Sequence, residues 1–152
     1  MTMISKIKPN ISDAEWEIMR VVWANQTVTS KQITEIVKEK MNWKQATIKT
    51  LIGRLVEKGM LKTEAVGNKY LYSPLISEEE SLKSKTSDFL DHLCNRKVGT
   101  TIAELVREAT LSHMDIQMLE ELLQQKKAEA VDVVPCNCIP GQCECQNHKH
   151  NG

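Results

Sequence analysis

The stretch WKQATIKTLIGRLVEKGMLKTEAVGNKYLY, residues 43–72, decides the fold of the first half of the chain. Its apolar residues recur at helical spacing. This predicts a helix that begins at Asn42 or Trp43 and ends at Gly59, a residue suited to the position after a helix. At about 100° per residue, one side of this helix collects the apolar residues Ile48, Leu51, Ile52 and Leu55. That side is the expected core face.

The opposite side of the same helix contains no acidic residue. A tryptophan, small residues, hydroxyls and one arginine gather there: Trp43, Ala46, Thr47, Thr50, Gly53 and Arg54. Such a face suits the DNA major groove, which requires close approach and donors for base edges and phosphates. Lys44 and Lys49 flank this side and can reach the DNA backbone. An ordinary solvated helix face is the alternative interpretation.

Two β-strands are predicted after this helix, over residues 61–66 and 69–72. The Gly67-Asn68 pair between them fits a two-residue hairpin turn. Helices followed by a hairpin indicate a winged helix-turn-helix. The tip of the wing carries two residues that can touch phosphate or the minor groove, Asn68 and Lys69. Two tyrosines on one strand face are interpreted as packing of the wing, Tyr70 and Tyr72.

Two further helices are predicted before this stretch. Ser12 and Glu15 form a capping box, and the apolar residues behind it predict a first helix that runs to about Ala24. Thr29 or Ser30 caps the second helix. Its buried stripe is expected to be Ile33, Ile36 and Val37.

Three amphipathic helices are predicted in the second half of the chain. The first begins with a capping box at Ser77–Glu80 and runs to about Cys94, with an apolar side of Leu82, Phe89, Leu90 and Leu93. Residues 97–99 break it, and helices follow over 101–108 and 112–130. About 55 residues make a small core for independent folding, so pairing of two copies would bury the apolar stripes better. We therefore expect a homodimer.

The C-terminal tail concentrates four of the five cysteines in two C-x-C pairs: Cys136, Cys138, Cys143 and Cys145. Alternate residues of an extended segment point the same way, so each pair presents both sulfurs on one side. The Pro140-Gly141 step fits a type II turn that brings the pairs face to face. Four sulfurs so arranged predict a site for a soft metal ion. The fifth cysteine, Cys94, is interpreted as a buried small hydrophobe, with a metal role as the less favoured alternative. His148 and His150 could assist metal capture, but are interpreted as incidental tail residues.

Two alternatives to a sensory metal site are a pair of disulfides and a purely structural zinc. Residues 1–8 lack the apolar segment of a signal peptide. A cytosolic chain keeps its thiols reduced, so clustered cysteines indicate metal ligands rather than disulfides. No apolar run reaches the roughly 20 residues of a membrane span. These observations predict a cytoplasmic protein that does not enter the membrane.

Charge is divided unevenly along the 152 residues, although the formal net charge is zero. Residues 1–75 have 12 Lys/Arg against 7 Asp/Glu, and residues 76–152 have 8 against 13. A basic first half is typical of a segment that meets a polyanion. The expected fold class is mostly α with a small β-hairpin. It comprises a winged-helix DNA-binding domain over 1–75, a helical dimerisation domain over 76–131 and a metal-binding tail over 132–152.

A resemblance to a known family rests on the C-x-C-x4-C-x-C tail and on five segments of the first half: Ser12–Trp16, Val22-Trp23, Ala46–Leu51, Arg54-Leu55 and Glu57–Gly59. The chain resembles the copper-responsive repressors of the CopY type, which are kin to the penicillinase repressors BlaI and MecI. The tail is the specific part, since it separates this branch from the β-lactam-responsive one.

The resemblance implies a bacterial homodimer that binds an inverted repeat of operator DNA at copper-homeostasis genes. It implies one zinc ion, held by the four tail cysteines in the DNA-bound form, and release of the DNA when two Cu(I) ions displace the zinc. A copper chaperone that delivers Cu(I) is a further expected partner. In the relatives, the positions that face DNA correspond to Thr47, Lys49, Thr50 and Arg54.

Exchange of one Zn(II) for two Cu(I) leaves the charge of a four-thiolate site unchanged, so the expected signal is geometric. Zinc is expected to order the tail against the dimerisation module, or across it, and copper to release that restraint. A second hypothesis is a metal-buffering or delivery protein whose N-terminal domain binds another protein. The acid-free helix face and the wing argue against it. An enzyme is disfavoured, because the chain shows no nucleophile–base pair, phosphate loop or paired carboxylates.

Overall fold

The structure, a computed structural model, describes residues 10–145. The segment interpreted as lacking a signal peptide and the residues His148 and His150 lie outside this range. The chain divides into two compact units, Met1–Thr86 and Ser87–Gly152. None of the helices in the described part is both long and apolar enough to cross a membrane.

Three helices build most of the first unit: α1 Asp13–Asn25, α2 Ser30–Met41 and α3 Gln45–Glu57. The capping box at Ser12 is confirmed, because its hydroxyl accepts from the Glu15 amide while the Glu15 carboxylate accepts from the Ser12 amide. Thr29 caps α2 with the same reciprocal pattern. Each helix therefore begins where local hydrogen bonding satisfies its first amides.

A three-stranded antiparallel sheet completes this unit, in the order β1-β3-β2. The hairpin is confirmed as β2 Leu61–Val66 and β3 Lys69–Pro74. Gly67 in its turn has a φ of 62°, a value that the first position of such a turn favours. The third strand, β1 Val28–Thr29, was not predicted, because two residues are too short to show strand periodicity.

The core of the first unit lies among α1, α2, α3 and the sheet. The predicted core face of α3 is confirmed, since its four apolar residues are buried. In α2, Ile33 and Val37 are buried as predicted, but Ile36 is 49% exposed. Val37 lies about 40° from Ile33 around the helix and Ile36 about 60° in the other direction, so Ile36 falls at the edge of the stripe.

A partly buried ion pair links the first and third helices. Glu15 is only 1% exposed, and its Oε1 accepts from Lys58 Nζ at 2.6 Å and from the Ser12 amide at 2.9 Å. Lys58 also donates to the Asn10 carbonyl. The start of α1 is therefore fixed to the C-terminal end of α3, the helix whose outer face is the candidate DNA reader.

The second half contains α4 Glu78–Asp91, α5 Val98–Glu108 and α6 His113–Lys126, with short 3-10 turns at Asn95–Lys97 and Lys127–Glu129. The three predicted helices are present. The predicted end of the first at Cys94 is wrong, because α4 ends at Asp91. The predicted break at residues 97–99 is also displaced, since Val98 and Gly99 lie inside α5.

The apolar side chains of α5 and α6 remain half-exposed in the single chain. Their exposed fractions lie between 44% and 63% for Ile102, Leu105, Val106, Ile116, Leu122 and Leu123. Two helices of an ordinary monomeric domain would bury such stripes against each other or against a third element.

Candidate functional sites: a helix face and a thiol cluster

The outer face of α3 presents its polar residues to solvent. Thr47, Lys49, Thr50 and Arg54 are exposed. Glu57, the only acidic residue of the helix, is exposed as well. It lies seven residues after Thr50 and therefore on the same side, so the prediction that this side has no acidic residue is wrong at its C-terminal end. The Thr50 hydroxyl donates to the Ala46 carbonyl at 2.9 Å, which fixes its direction. Lys44 occupies the N-cap position and is exposed. Trp43 differs from the others, because it is partly buried and packs against the core.

The wing and α3 together border an open groove of about 440 Å³. Its lining includes Lys49 and Gly53 from α3 and Tyr70 and Tyr72 from β3. The packing interpretation is confirmed for Tyr72, which contacts the core, whereas Tyr70 is 58% exposed. The predicted tip residues Asn68 and Lys69 are exposed at the turn.

The predicted turn in the tail is confirmed. Gly141 has a φ of 95°, and the Gln142 amide donates to the Ile139 carbonyl at 3.1 Å. Pro140 therefore occupies the second and Gly141 the third position of a type II turn. The turn brings the two C-x-C pairs together, with Cys136 Sγ 3.4 Å from Cys143 Sγ.

Cys94 joins this cluster, which its interpretation as a small hydrophobe did not anticipate. It is buried, as predicted. Its sulfur nevertheless lies 3.5 Å from Cys136 Sγ and 3.6 Å from Cys145 Sγ. The Asn95 amide donates to Asn137 Oδ1 at 2.9 Å, which fixes the tail beside the 3-10 turn. All five cysteines fall in the described range, and they form no disulfide.

The donor set fits a soft metal ion. Four sulfurs, those of Cys94, Cys136, Cys138 and Cys143, all lie within 4.8 Å of one another. A tetrahedral zinc with Zn–S bonds of about 2.3 Å needs sulfur–sulfur distances of about 3.8 Å. The observed separations are therefore close to those of a four-thiolate site.

Backbone amides support negative charge on the sulfurs. The Cys138 amide donates to Cys136 Sγ and the Cys145 amide donates to Cys143 Sγ, each at 3.4 Å. The Arg96 amide and neighbouring thiols lower the pKa of Cys94 to about 6, despite desolvation. Desolvation and donation to neighbouring sulfurs raise the pKa of Cys138 to about 12. The Cys94 thiolate is thus stabilised by hydrogen bonds from neighbouring thiols. Those thiols must lose their protons when a metal binds.

The sequence offered no spacing rule that could find Cys94. It lies 42 residues before Cys136, and only the chain's fold brings the two sulfurs together. The sole sequence signal was its residue type, in a chain that already has four clustered cysteines.

Three helices, a small sheet and an exposed hairpin define the first unit as a winged helix-turn-helix, a class of DNA-binding fold. The sequence profile described as "Penicillinase repressor" matches residues 11–125 of this chain. The chain belongs to the penicillinase repressor family. It is accordingly a transcriptional repressor of the BlaI and MecI type, not an enzyme.

The chain is also similar to several individual proteins. The chain is 42% identical over 139 residues to an uncharacterized 16.5 kDa protein in the ptsI 3' region of Latilactobacillus sakei, covering 91% of this chain and 95% of that protein. It is 31% identical to the methicillin resistance regulatory protein MecI of Staphylococcus aureus, covering 76% and 94% of the two chains. The solved structure of the CopR repressor is 42% identical, covers 45% of this chain and all of its own, and has a TM-score of 0.39.

Proposed function

We propose that the protein is a copper-responsive repressor of copper-homeostasis genes. The zinc-loaded homodimer binds an inverted-repeat operator, and Cu(I) at the cysteine cluster releases it. One observation carries the proposal: a chain of a DNA-binding repressor family also holds a compact cluster of thiols, the ligands that Cu(I) and Zn(II) prefer. A chain with these activities works in the bacterial cytoplasm.

The outer face of α3 reads the DNA. Thr47, Thr50 and Arg54 lie on the side that faces the major groove, with Lys44 and Lys49 at its flanks. Arginine can donate two parallel hydrogen bonds to a guanine edge, whereas the lysines supply positive charge to phosphates. Asn68 and Lys69 extend the contact to the adjacent backbone from the wing. Trp43 supports the start of α3 through its packing on the core.

Two copies of the chain associate through the second unit. The half-exposed apolar stripes of α5 and α6 become buried when a second copy covers them. A two-fold dimer presents two copies of α3, as an inverted repeat requires.

The cysteines select the metal through the softness of their sulfur ligands and through the number of sulfurs that bind each ion. Zn(II) prefers four ligands in a tetrahedral arrangement. Cu(I) would instead be held by bridging thiolates, with fewer ligands for each ion. The thiols must lose their protons to bind either ion, so the site itself gains affinity as the pH rises. Because the exchange leaves the charge of four thiolates and their metals unchanged, the tail must report the metal through its geometry.

Operator binding by the anaerobic full-length protein tests the proposal. Fluorescence anisotropy of a labelled inverted-repeat duplex is measured for zinc-loaded protein and then during addition of Cu(I). We expect tight, salt-dependent binding that weakens by at least tenfold with Cu(I), the scale of ordinary allosteric coupling. Equal operator affinity in the two metal states would contradict the proposal.

Two variants separate its parts. Cys136→Ser with Cys143→Ser should lose the response to both metals. Arg54→Ala should lose operator affinity while it still binds zinc. A metal-buffering protein would instead bind both metals without any affinity for the duplex.

A further inference from the structure

We infer that Cys94 is itself a metal ligand: together with Cys136, Cys138 and Cys143 it forms the four-thiolate zinc site, and Cys145 is the supplementary thiol. This inference rests on the proposed metal site, but it assigns a different ligand set from that of the two C-x-C pairs. It also places one ligand in the helical part of the chain instead of the tail.

Distances favour this set. The sulfurs of Cys94, Cys136, Cys138 and Cys143 are the group whose members all lie within 4.8 Å of one another. Cys145 is absent from that group, although its sulfur approaches Cys94 at 3.6 Å. Zinc takes four ligands in a structural site. With five sulfurs available, the four that share this mutual distance are the expected ligands, and Cys145, which contacts Cys94, Cys136 and Cys143, is the fifth sulfur.

The surroundings of Cys94 are those of a ligand held in place. It is 7% exposed and occupies the N-cap position of the 3-10 turn Asn95–Lys97. Its carbonyl accepts from the Lys97 amide at 2.8 Å. The tail is held to this turn by the bond from the Asn95 amide to the Asn137 side chain. A ligand with a fixed backbone costs less entropy to order than a ligand on a flexible tail.

A role for Cys145 follows from the same geometry. A pair of Cu(I) ions requires bridging sulfurs and can use more thiolates than one zinc. Cys145 lies within reach of Cys94 and is available to such a cluster. The zinc and copper forms would then differ in whether Cys145 is bound. A fifth thiolate would also make the copper form more negative by one charge, so the equal charge of the two forms applies only to a four-thiolate copper cluster.

Single substitutions in the full-length chain test the assignment. Zinc affinity is measured anaerobically by competition with a chromophoric chelator for the wild type and for Cys94→Ser, Cys138→Ser and Cys145→Ser. We expect Cys94→Ser and Cys138→Ser to lower the affinity about tenfold or more, since even residues that only support metal ligands cost 10- to 100-fold. Cys145→Ser should lower it about threefold or less on the same scale. Far-UV circular dichroism checks that each variant retains its helices.

Alkylation provides a second measurement. Zinc-loaded wild type is treated with iodoacetamide, and the labelled cysteine is identified by mass spectrometry. We expect label at Cys145 and protection of Cys136, Cys138 and Cys143. Protection of Cys145, or equal losses of zinc affinity in Cys94→Ser and Cys145→Ser, would overturn the assignment.

The outcome is separable from that of the proposed function. If Cys94→Ser loses zinc affinity but the wild-type protein binds the operator equally with zinc and Cu(I), the ligand assignment stands and the repressor mechanism fails. If operator release by Cu(I) is intact and Cys94→Ser binds zinc like the wild type, the repressor mechanism stands and the assignment fails.

Discussion

Replacement of Lys58 by methionine should destabilise the winged-helix unit by about 2–3 kcal/mol at neutral pH. The Lys58 ammonium lies 2.6 Å from a Glu15 carboxylate that is only 1% exposed. Methionine retains much of the length of the side chain but removes its charge. The carboxylate would keep its bond from the Ser12 amide and lose its counterion. Breaking a fully buried pair costs about 3–5 kcal/mol, and we lower this figure because the Lys58 side chain is 33% exposed and water can reach the vacated position.

The loss should depend on pH with a defined sign. Burial raises the pKa of Glu15, but the hydrogen bond from Lys58 and the cap bonds from Ser12 outweigh burial, so the pKa lies below its ordinary value. The folded state is therefore stabilised by the ionised carboxylate above the unfolded-state pKa, and this contribution is lost as the pH falls through the folded-state pKa. In Lys58→Met, only the bonds from Ser12 still oppose the effect of burial, so the pKa of Glu15 rises. The variant and the wild type should become more similar in stability at acidic pH.

Urea unfolding monitored by tryptophan fluorescence measures this effect in the first unit, because the chain's three tryptophans, Trp16, Trp23 and Trp43, all lie there. Lys40→Met is the matched control. Its ion pair with Glu17 has a similar distance, 2.7 Å, but the side chains are 59% and 24% exposed, so its loss should cost less than about 1 kcal/mol. Equal costs for the two variants, or a cost for Lys58→Met that does not shrink in acid, would refute the reasoning.

Three further predictions, two of them with a control variant, have defined outcomes. Leu55→Ala removes a fully buried side chain and should cost about 2–5 kcal/mol in urea unfolding, whereas Ile36→Ala, at a half-exposed position, should cost less than about 1 kcal/mol. Lys49→Ala should lower operator affinity and reduce the slope of log affinity against log salt by about 0.9 if this lysine contacts one phosphate; an unchanged slope would remove it from the interface. Gly141→Ala places a side chain at a φ of 95°, which costs about 1–2 kcal/mol of backbone strain. In the chelator assay this variant should bind zinc roughly tenfold more weakly, whereas Pro140→Ala should have a smaller effect.

Local signals were sufficient for most elements of the first unit. The capping boxes at Ser12 and Thr29 depend on residues three positions apart, and the hairpin depends on Gly67-Asn68 between two strands, so a single sequence displays them directly. The core face of α3 follows from helical periodicity alone. The strand β1 escaped prediction because its pairing with β3 is a tertiary contact. Ile36 was misassigned because the width of a buried stripe depends on what packs against it.

The second half shows where local signals stop. The end of α4 was placed three residues too late, since apolar residues continue past Asp91 while the helix does not. Gly99 was interpreted as a breaker, yet it lies in the first turn of α5, where a glycine disrupts few intrahelical hydrogen bonds. The turn at Pro140-Gly141 was predictable from its two residue types. The approach of Cys94 to the tail was not, because it brings together positions 42 residues apart.

The position of Cys94 bears on how a metal could affect DNA binding at all. A site made only of Cys136, Cys138, Cys143 and Cys145 is closed within ten residues, so exchange of its metal would rearrange the tail and need not move any helix. Cys94 instead follows the end of α4 by three residues and precedes α5, one of the helices with a half-exposed apolar stripe. If Cys94 is a ligand, a change in sulfur geometry acts directly on the turn between these helices. Coupling requires that each metal state favour a different arrangement of the protein, and a ligand between two helices provides a covalent route to one.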